Sequence, residues 1–169
     1  MPKLILRPHL DSPSPVTGIE VDVSRIASDV LRLTYSIVGG LGDVAIPLPQ
    51  AAARTDGLWR HSCFEAFLAA EPGYYEFNFS PSSQWAAYRF DAHRSGMRDA
   101  MTADPSVRWD AGTLIATLHL PADVIGPLGL SAIVEDRAGN RSFWALAHPP
   151  GEPDFHDAAC FVADLPPAG

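Results

Sequence analysis

The stretch that decides the fold is residues 63–90, which read CFEAFLAAEPGYYEFNFSPSSQWAAYRF. In the segments 63–69 and 74–79, one set of alternate residues is wholly apolar, and this period of two is typical of β-strands that bury one face. Glu71-Pro72-Gly73 separates the two segments and has the composition of a tight turn, with a glycine available for a positive φ. The stretch therefore predicts a β-hairpin, followed by a third strand at 85–90.

The turn also predicts the register of the hairpin, in which Glu65 lies opposite Asn78. In that register six apolar residues share one side of the sheet, namely Phe64, Ala66, Leu68, Tyr75, Phe77 and Phe79. The opposite side presents three polar residues, Glu65, Glu76 and Asn78. The third strand adds either Trp85 and Arg89 or Tyr88 to that side. We therefore expect a polar face, bordered by aromatic rings and open to solvent.

Short segments of the same kind recur along the chain. The sequence has 16 prolines and 13 glycines, which separate these segments and favour turns over long helices. Strands are predicted at 3–9, 19–24, 30–38, 62–69, 74–79, 85–90, 113–120, 130–135, 142–146 and 159–163. Further tight turns are predicted at 110–112 and 137–140, and short helical turns at 48–53 and 122–126.

Ten strands without alternating helices predict an all-β fold. The expected architecture is a two-sheet antiparallel β-sandwich, immunoglobulin-like or jelly-roll-like, with at most short helical turns. Trp144 is expected in the core and Trp59 at a loop rim. No internal repeat or linker divides the chain, so residues 1–169 are predicted to form a single domain.

Composition argues against several classes of protein. Hydrophobic residues make up 47% of the chain and charged residues 19%, which disfavours disorder. A formal net charge of −8, without a basic block, disfavours binding to nucleic acid or to an anionic membrane surface. No apolar run approaches the roughly 20 residues that cross a bilayer, and the first residues do not resemble a secretion signal, so a cytoplasmic location is expected. The two cysteines, Cys63 and Cys160, are expected to be buried and reduced.

The polar face suggests a binding function. A tryptophan can pack against the apolar face of a sugar ring, while carboxylate, amide and guanidinium groups pair with its hydroxyls. The candidate ligand-binding residues are Trp59, Glu65, Asn78, Trp85 and Arg89. The alternative is a solvated face with Trp85 in the core. We expect non-catalytic binding of a saccharide or similar polyhydroxylated metabolite, or, from another class, a structural domain that forms a homodimer through an exposed sheet face.

Several motifs resemble those of one group of domains. They are Asp56-Gly57-Leu58-Trp59, Glu65-Ala66-Phe67, residues 74–81 (YYEFNFSP), 85–90 (WAAYRF), 94–97 (RSGM), 143–149 (FWALAHP) and 153–156 (PDFH). Together they resemble the DOMON-like domains related to family 9 carbohydrate-binding modules. The resemblance implies a β-sandwich of two antiparallel sheets, with a sugar or haem as the ligand. Family 9 modules often carry acidic residues after the tryptophan of the first motif, where this chain has Arg60-His61-Ser62, so no calcium site is expected there.

Haem and metal ions are two further ligand hypotheses. Haem-binding DOMON domains are similar in using a methionine and a histidine as axial ligands, and the candidates here are Met97, Met101, His93, His148 and His156. Because there is no CxxCH motif, such a haem would be held non-covalently. The loop with His148, Asp154 and His156 is a weaker candidate for a divalent metal and metal-dependent hydrolysis, since its spacing fits no compact zinc motif. The sequence predicts no cofactor, no metal and no catalytic residue.

Overall fold

The computed structural model describes residues 3–10 and 12–169 and shows an all-β protein. Within these residues, helical structure is limited to 3₁₀ turns at Leu41–Asp43, Leu58–Arg60 and Ala158–Cys160. No helix in the described part of the chain is long and apolar enough to cross a membrane. The strands are β1 (Leu4–Pro8), β2 (Gly18–Ala27), β3 (Val30–Val38), β4 (Cys63–Ala70), β5 (Tyr74–Phe79), β6 (Trp85–Phe90), β7 (Arg98–Asp99), β8 (Ser106–Asp110), β9 (Thr113–His119), β10 (Val124–Glu135), β11 (Arg141–Ala145) and β12 (Phe161–Ala163).

The alternation pattern locates most of these strands. Three predicted strands coincide with β3, β5 and β6, and the other seven differ at their ends. The largest difference is in β10, which begins at Val124 rather than at Leu130, because the sequence between them contains Gly126-Pro127 and reads as a break. The pattern does not predict β7, which has two residues, or β8, an edge strand with exposed residues at alternate positions. Segment 48–53 has no helical structure.

The strand ladders are antiparallel and form one continuous sheet. Its order is β7-β6-β5-β4-β10-β11-β1-β2-β3-β9-β8, and β12 pairs with β10. Strand β1 joins the two halves, because it pairs with β2 on one side and with β11 on the other. The sheet curls like half of a barrel, so that its two halves share one core. The all-β class is confirmed, whereas two separate sheets are not.

The main core lies inside this curled sheet. The pairing of Glu65 with Asn78 is confirmed, and all six apolar hairpin residues assigned to one side belong to the core. Tyr35 of β3 reaches across from the other half of the sheet. Its ring centroid lies 5.1 Å from that of Phe64, and its hydroxyl donates to the backbone oxygen of Glu65 at 2.7 Å. Trp144 is buried in the same core, as expected.

The second side of β4–β6 is covered rather than open to solvent. Glu65 is 2% exposed and Asn78 is 0% exposed. Strand residues on this side form a second apolar cluster with Leu58, Phe155, Cys160 and Phe161. The expectation of an open polar face is therefore wrong, because segment 153–161 packs over it. Cys63 and Cys160 both lie in this cluster as free, buried thiols, as expected.

Candidate ligand-binding site

A cavity of about 420 Å³ remains between the second side of the sheet and the segments that cover it. Its floor is formed by residues of β4, β5, β6 and β10, namely Glu65, Glu76, Tyr88, Phe90 and Ile133. Its walls come from two loops and contain Arg94, Met97, Pro153, Phe155 and His156. Trp59 and Phe143 complete the lining. Part of the face that was expected to bind a ligand is thus the floor of a partly open pocket.

Two glutamates dominate the polar part of the floor. Glu65 pairs with Asn78 and Glu76 pairs with Phe67 across β4 and β5, so the two carboxyls are diagonal neighbours on one face. Glu65 Oε1 accepts a hydrogen bond from Ser131 Oγ at 3.3 Å. In the amide orientation that satisfies both groups, Asn78 Nδ2 donates to Glu65 Oε2 at 3.1 Å. Glu65 is therefore held in place from both sides of β4.

Glu76 has no such support. It is 7% exposed and lines the cavity, yet no group in residues 3–10 or 12–169 makes a hydrogen bond to its carboxyl. The nearest charged or polar contact is His156 Nε2, 3.7 Å from Oε1, which is too long for a hydrogen bond. The Glu76 oxygens are not among the fully buried atoms without a partner, so they are accessible from the cavity. Glu76 therefore presents to the cavity an acceptor that has no hydrogen-bond partner in the described residues.

Burial changes the ionisation of both carboxyls. Burial and, after it, the charge of Glu76 raise the pKa of Glu65 well above its ordinary value. Burial raises the pKa of Glu76 from 4.5 to about 7. Like charges that are close together in a poorly solvated site disfavour double ionisation. At neutral pH the pair therefore retains protons that exposed glutamates have released.

His156 forms the wall that faces Glu76. Its Nδ1 lies 2.8 Å from the Tyr74 hydroxyl, and its ring packs edge-on against Phe67 and Phe90, with centroid distances of 5.0 Å to each. Burial, and then the charge of Arg94, lower the pKa of His156 from 6.5 to about 4. The imidazole is therefore neutral at physiological pH and does not compensate the negative charge of the floor.

Asp154 ties the two wall loops together. Its carboxylate accepts hydrogen bonds from His93 Nε2 at 2.7 Å, from Arg94 Nη2 at 2.9 Å and from the backbone N of His156 at 3.1 Å. Burial acts to raise the pKa of Asp154, but the hydrogen bonds from His93 and Arg94 outweigh it and lower this pKa. Asp154 is therefore ionised and binds the cation of the wall.

Aromatic side chains supply most of the remaining surface. Tyr88 donates its hydroxyl to the Asp56 carboxylate, which leaves the phenolic oxygen able to accept a hydrogen bond from a ligand. Phe90 and Phe155 contribute apolar ring surface. Trp59 is 45% exposed, as expected for a rim position, and the guanidinium of Arg60 lies 5.4 Å from its ring centroid.

The structure brings together some of the sequence-predicted residues and separates others. Trp59 and Glu65 line the cavity, and Asn78, on the neighbouring strand β5, donates a hydrogen bond to Glu65. Trp85 and Arg89 lie on the opposite side of β6, so their expected placement beside Glu65 is wrong.

The register explains this difference. Glu76 pairs with Tyr88, and Asn78 pairs with Ala86, so the even-numbered residues of β6 face the cavity. Trp85 is buried in the main core under the guanidinium of Arg54, 4.7 Å from its ring centroid. Arg89 stacks on Tyr75 and forms an ion pair with Asp123 at 3.3 Å. A binding role for Trp59, Glu65 and Asn78 stays a prediction.

The sequence did not predict several of the residues that line the cavity. Tyr88 appears there as one of two alternatives, and the alternation alone cannot choose between them because all six residues of β6 are buried. Arg94 and Phe155 lie in loops without periodicity, so no pattern places them beside the strands. The resemblance marks both loops as motifs, and that is the signal that could have identified them.

The contacts of the haem and metal candidates do not support a shared site for either ligand. Met97 and His156 both line the cavity, but Nδ1 of His156 is bonded to Tyr74 and Nε2 faces Glu76, so His156 does not fit an axial ligand of haem iron. His148 Nε2 lies 2.7 Å from the carbonyl oxygen of Arg7. In the described residues, no three His, Cys, Asp or Glu side chains are grouped so that they could hold a metal ion.

Comparison with known proteins gives no match to a family model, to a curated protein or to a solved structure. The resemblance to DOMON-like domains therefore stays a prediction, and the functional argument depends on the cavity itself.

Proposed function

We propose that the cavity above β4–β6 binds a small polyhydroxylated molecule, such as a mono- or disaccharide, without transforming it. The observation that carries this proposal is the Glu76 carboxyl, which is buried, faces the cavity and lacks a hydrogen bond. Because its oxygens are accessible from the cavity and have no partner in the described residues, they are available to accept a hydrogen bond from a ligand hydroxyl.

The size and lining of the cavity support a ligand of this class. A volume of about 420 Å³ lies within the range of roughly 300–1,000 Å³ that is common for small-molecule sites. Tyr88, Phe90 and Phe155 offer apolar surface to the C–H faces of a ring, while Glu65, Glu76 and the phenolic oxygen of Tyr88 accept hydrogen bonds from hydroxyls.

The position of the carboxyls supports binding over hydrolysis. Glycoside hydrolases place two carboxyls on either side of the scissile bond. Here both carboxyls project from one sheet face, and the opposite wall holds a neutral histidine and an arginine that is bound to Asp154. A homodimer that pairs through this face has less support, because segment 153–161 covers it.

The sandwich architecture implied by the resemblance is part of the same proposal. Its support is the packing of β3 against β4 through Tyr35 and Phe64, which makes the two halves of the curled sheet act as two layers.

Isothermal titration calorimetry with glucose, galactose, maltose and cellobiose tests the proposal. At least one of these sugars should bind the wild-type protein, and both Trp59→Ala and Glu76→Gln should weaken binding by about tenfold or more. Matched controls are Met101→Ala, which removes an apolar side chain that is 96% exposed, and Glu152→Gln, which changes an exposed carboxyl immediately before the covering segment. Absence of binding by all four sugars, or equal affinity in all four variants, would contradict the proposal.

A further inference from the structure

We infer that the ligand of this cavity carries a protonated amine, and that the ammonium group lies between the carboxyls of Glu65 and Glu76. The inference rests on the proposed function for the polyhydroxylated part of the ligand and adds the charge of the group that the floor recognises. Its basis is the imbalance of charge around the cavity, together with the Glu76 acceptor that has no hydrogen-bond partner in the described residues.

The acidic groups in and beside the floor outnumber the cations. The carboxyls that lie in or beside the cavity are Glu65, Glu76, Asp56 and Asp154. Arg94 is the cation of the cavity lining in the described residues, and its Nε and Nη2 both bind Asp154 Oδ1, at 3.2 and 2.9 Å.

The other titratable neighbours do not offset this charge. His93 is bound to the same Asp154 carboxylate, and His156 is neutral because burial lowers its pKa to about 4. Cys63, two residues before Glu65 on β4, is fully buried, and burial raises its pKa, so it stays a neutral thiol. The two floor carboxyls therefore have no cationic partner of their own.

An ammonium group fits this environment better than a hydroxyl does. It has three donors, enough to reach both carboxyls and the phenolic oxygen of Tyr88. Hydrogen bonds between charged partners are about twice as strong as those between neutral ones. The rings of Tyr88, Phe90 and Phe155 line the same space, and aromatic rings attract cations.

Binding of an ammonium group should also change the protonation of the two floor carboxyls. A cation between the carboxyls favours their ionised forms, so protons held by Glu65 and Glu76 leave to the solvent as the ligand enters. The bound state then contains a carboxylate pair and an ammonium group. The affinity for an amine should therefore rise as the pH increases from 5 to 7, whereas the affinity for an uncharged sugar should not.

The test compares glucosamine, glucose and N-acetylglucosamine, which share a ring and differ in the group on one carbon. Titration calorimetry at pH 5, 6 and 7 measures the affinities, and two buffers with different heats of ionisation and no primary amine measure the protons released. Glucosamine should bind at least about tenfold more tightly than either other sugar at pH 7, with release of protons. Glu76→Gln should abolish most of this preference, and Glu152→Gln should retain it.

A second pair of probes, cyclohexylamine and cyclohexanol, tests the contribution of the amine in the absence of the other sugar hydroxyls. Equal or weaker binding of glucosamine, with the neutral sugars bound, would overturn the inference and leave the proposed function standing. Binding of cyclohexylamine but of no sugar would support the inference and overturn the saccharide proposal. If none of the five probes binds, both are overturned.

Discussion

Replacement of Glu76 by glutamine should make the ligand-free protein more stable at alkaline pH. Glutamine has nearly the shape of a protonated glutamate but cannot ionise. Glu76 is 7% exposed and has no hydrogen bond within the described residues, so its charged form is poorly solvated in the folded state. The variant removes this unfavourable ionisation and leaves the packing of the floor unchanged.

The size and sign of the effect follow from the pKa of Glu76. Burial raises this pKa from 4.5 to about 7, which corresponds to about 3 kcal/mol of unfolding free energy. Between these two pH values the folded protein holds a proton that the unfolded chain has released. The free energy of unfolding therefore falls as the pH rises through this window, and it stays low above pH 7. The raised pKa of Glu65 acts in the same direction.

His156 has the opposite effect. Burial lowers its pKa from 6.5 to about 4, so the unfolded chain binds more protons in this window and the free energy of unfolding rises with pH. Between pH 4.5 and 6.5 the contributions of Glu76 and His156 should nearly cancel, so that the fall due to Glu65 remains, and the fall should be steeper above pH 6.5. In Glu76→Gln the rise due to His156 should remain, and the fall should be much smaller.

Urea unfolding, followed by tryptophan fluorescence at half-unit steps from pH 4 to pH 8, measures both curves. The difference between Glu76→Gln and the wild-type protein should be near zero at pH 4 and reach about 3 kcal/mol in favour of the variant at pH 8. Glu152→Gln removes an exposed carboxyl and should show no such growth. A difference that is constant across the pH range, or a variant that is less stable at pH 8, would refute the assignment of a buried, poorly solvated carboxyl to Glu76.

Two further predictions concern the backbone and the thiols. Gly73 and Gly139 both have a positive φ, but a Cβ on Gly73 would lie 2.1 Å from the carbonyl oxygen of Phe90, whereas a Cβ on Gly139 meets nothing within 4 Å. Chemical denaturation should therefore show a loss of about 3 kcal/mol for Gly73→Ala against roughly 1 kcal/mol for Gly139→Ala, and similar losses would argue against this close approach. Cys63 and Cys160 are 0% and 2% exposed, and burial raises the pKa of both, that of Cys160 to about 11. A disulfide reagent at pH 8 should label neither thiol in the native protein and both in guanidinium, and a fast-reacting native thiol would contradict their burial.

The strands could be predicted from the sequence wherever only one face of a strand is buried. In such strands the period of two is visible, and the turn at Glu71-Pro72-Gly73 fixed the register that pairs Glu65 with Asn78. The pattern could not reveal that strand β1 hydrogen-bonds to both halves of the sheet. Long-range pairing depends on which edges meet in space, and alternation within a strand carries no information about that.

The site could be predicted from the sequence only in part. The alternation predicted that Glu65 and Glu76 share one side of the sheet, and this is confirmed; both line the cavity, and a binding role stays a prediction. The choice of Trp85 failed because all six residues of β6 are buried, so neither set of alternate residues looks like the outer one. The wall could not be predicted, since Asp154 acts through contacts with His93 and Arg94 that lie about 60 positions away in the chain.

The floor and the walls of the cavity are held in place by different kinds of contact. Each central floor strand is paired on both sides, so a change in its backbone would be transmitted to its neighbours and to the main core. The wall segment 153–156 lies between strands and is anchored largely through the carboxylate of Asp154. Substitutions in this loop should therefore change the shape of the cavity wall while the two glutamates of the floor keep their positions. The ligand that we propose for the cavity could then be exchanged for another without a change of fold.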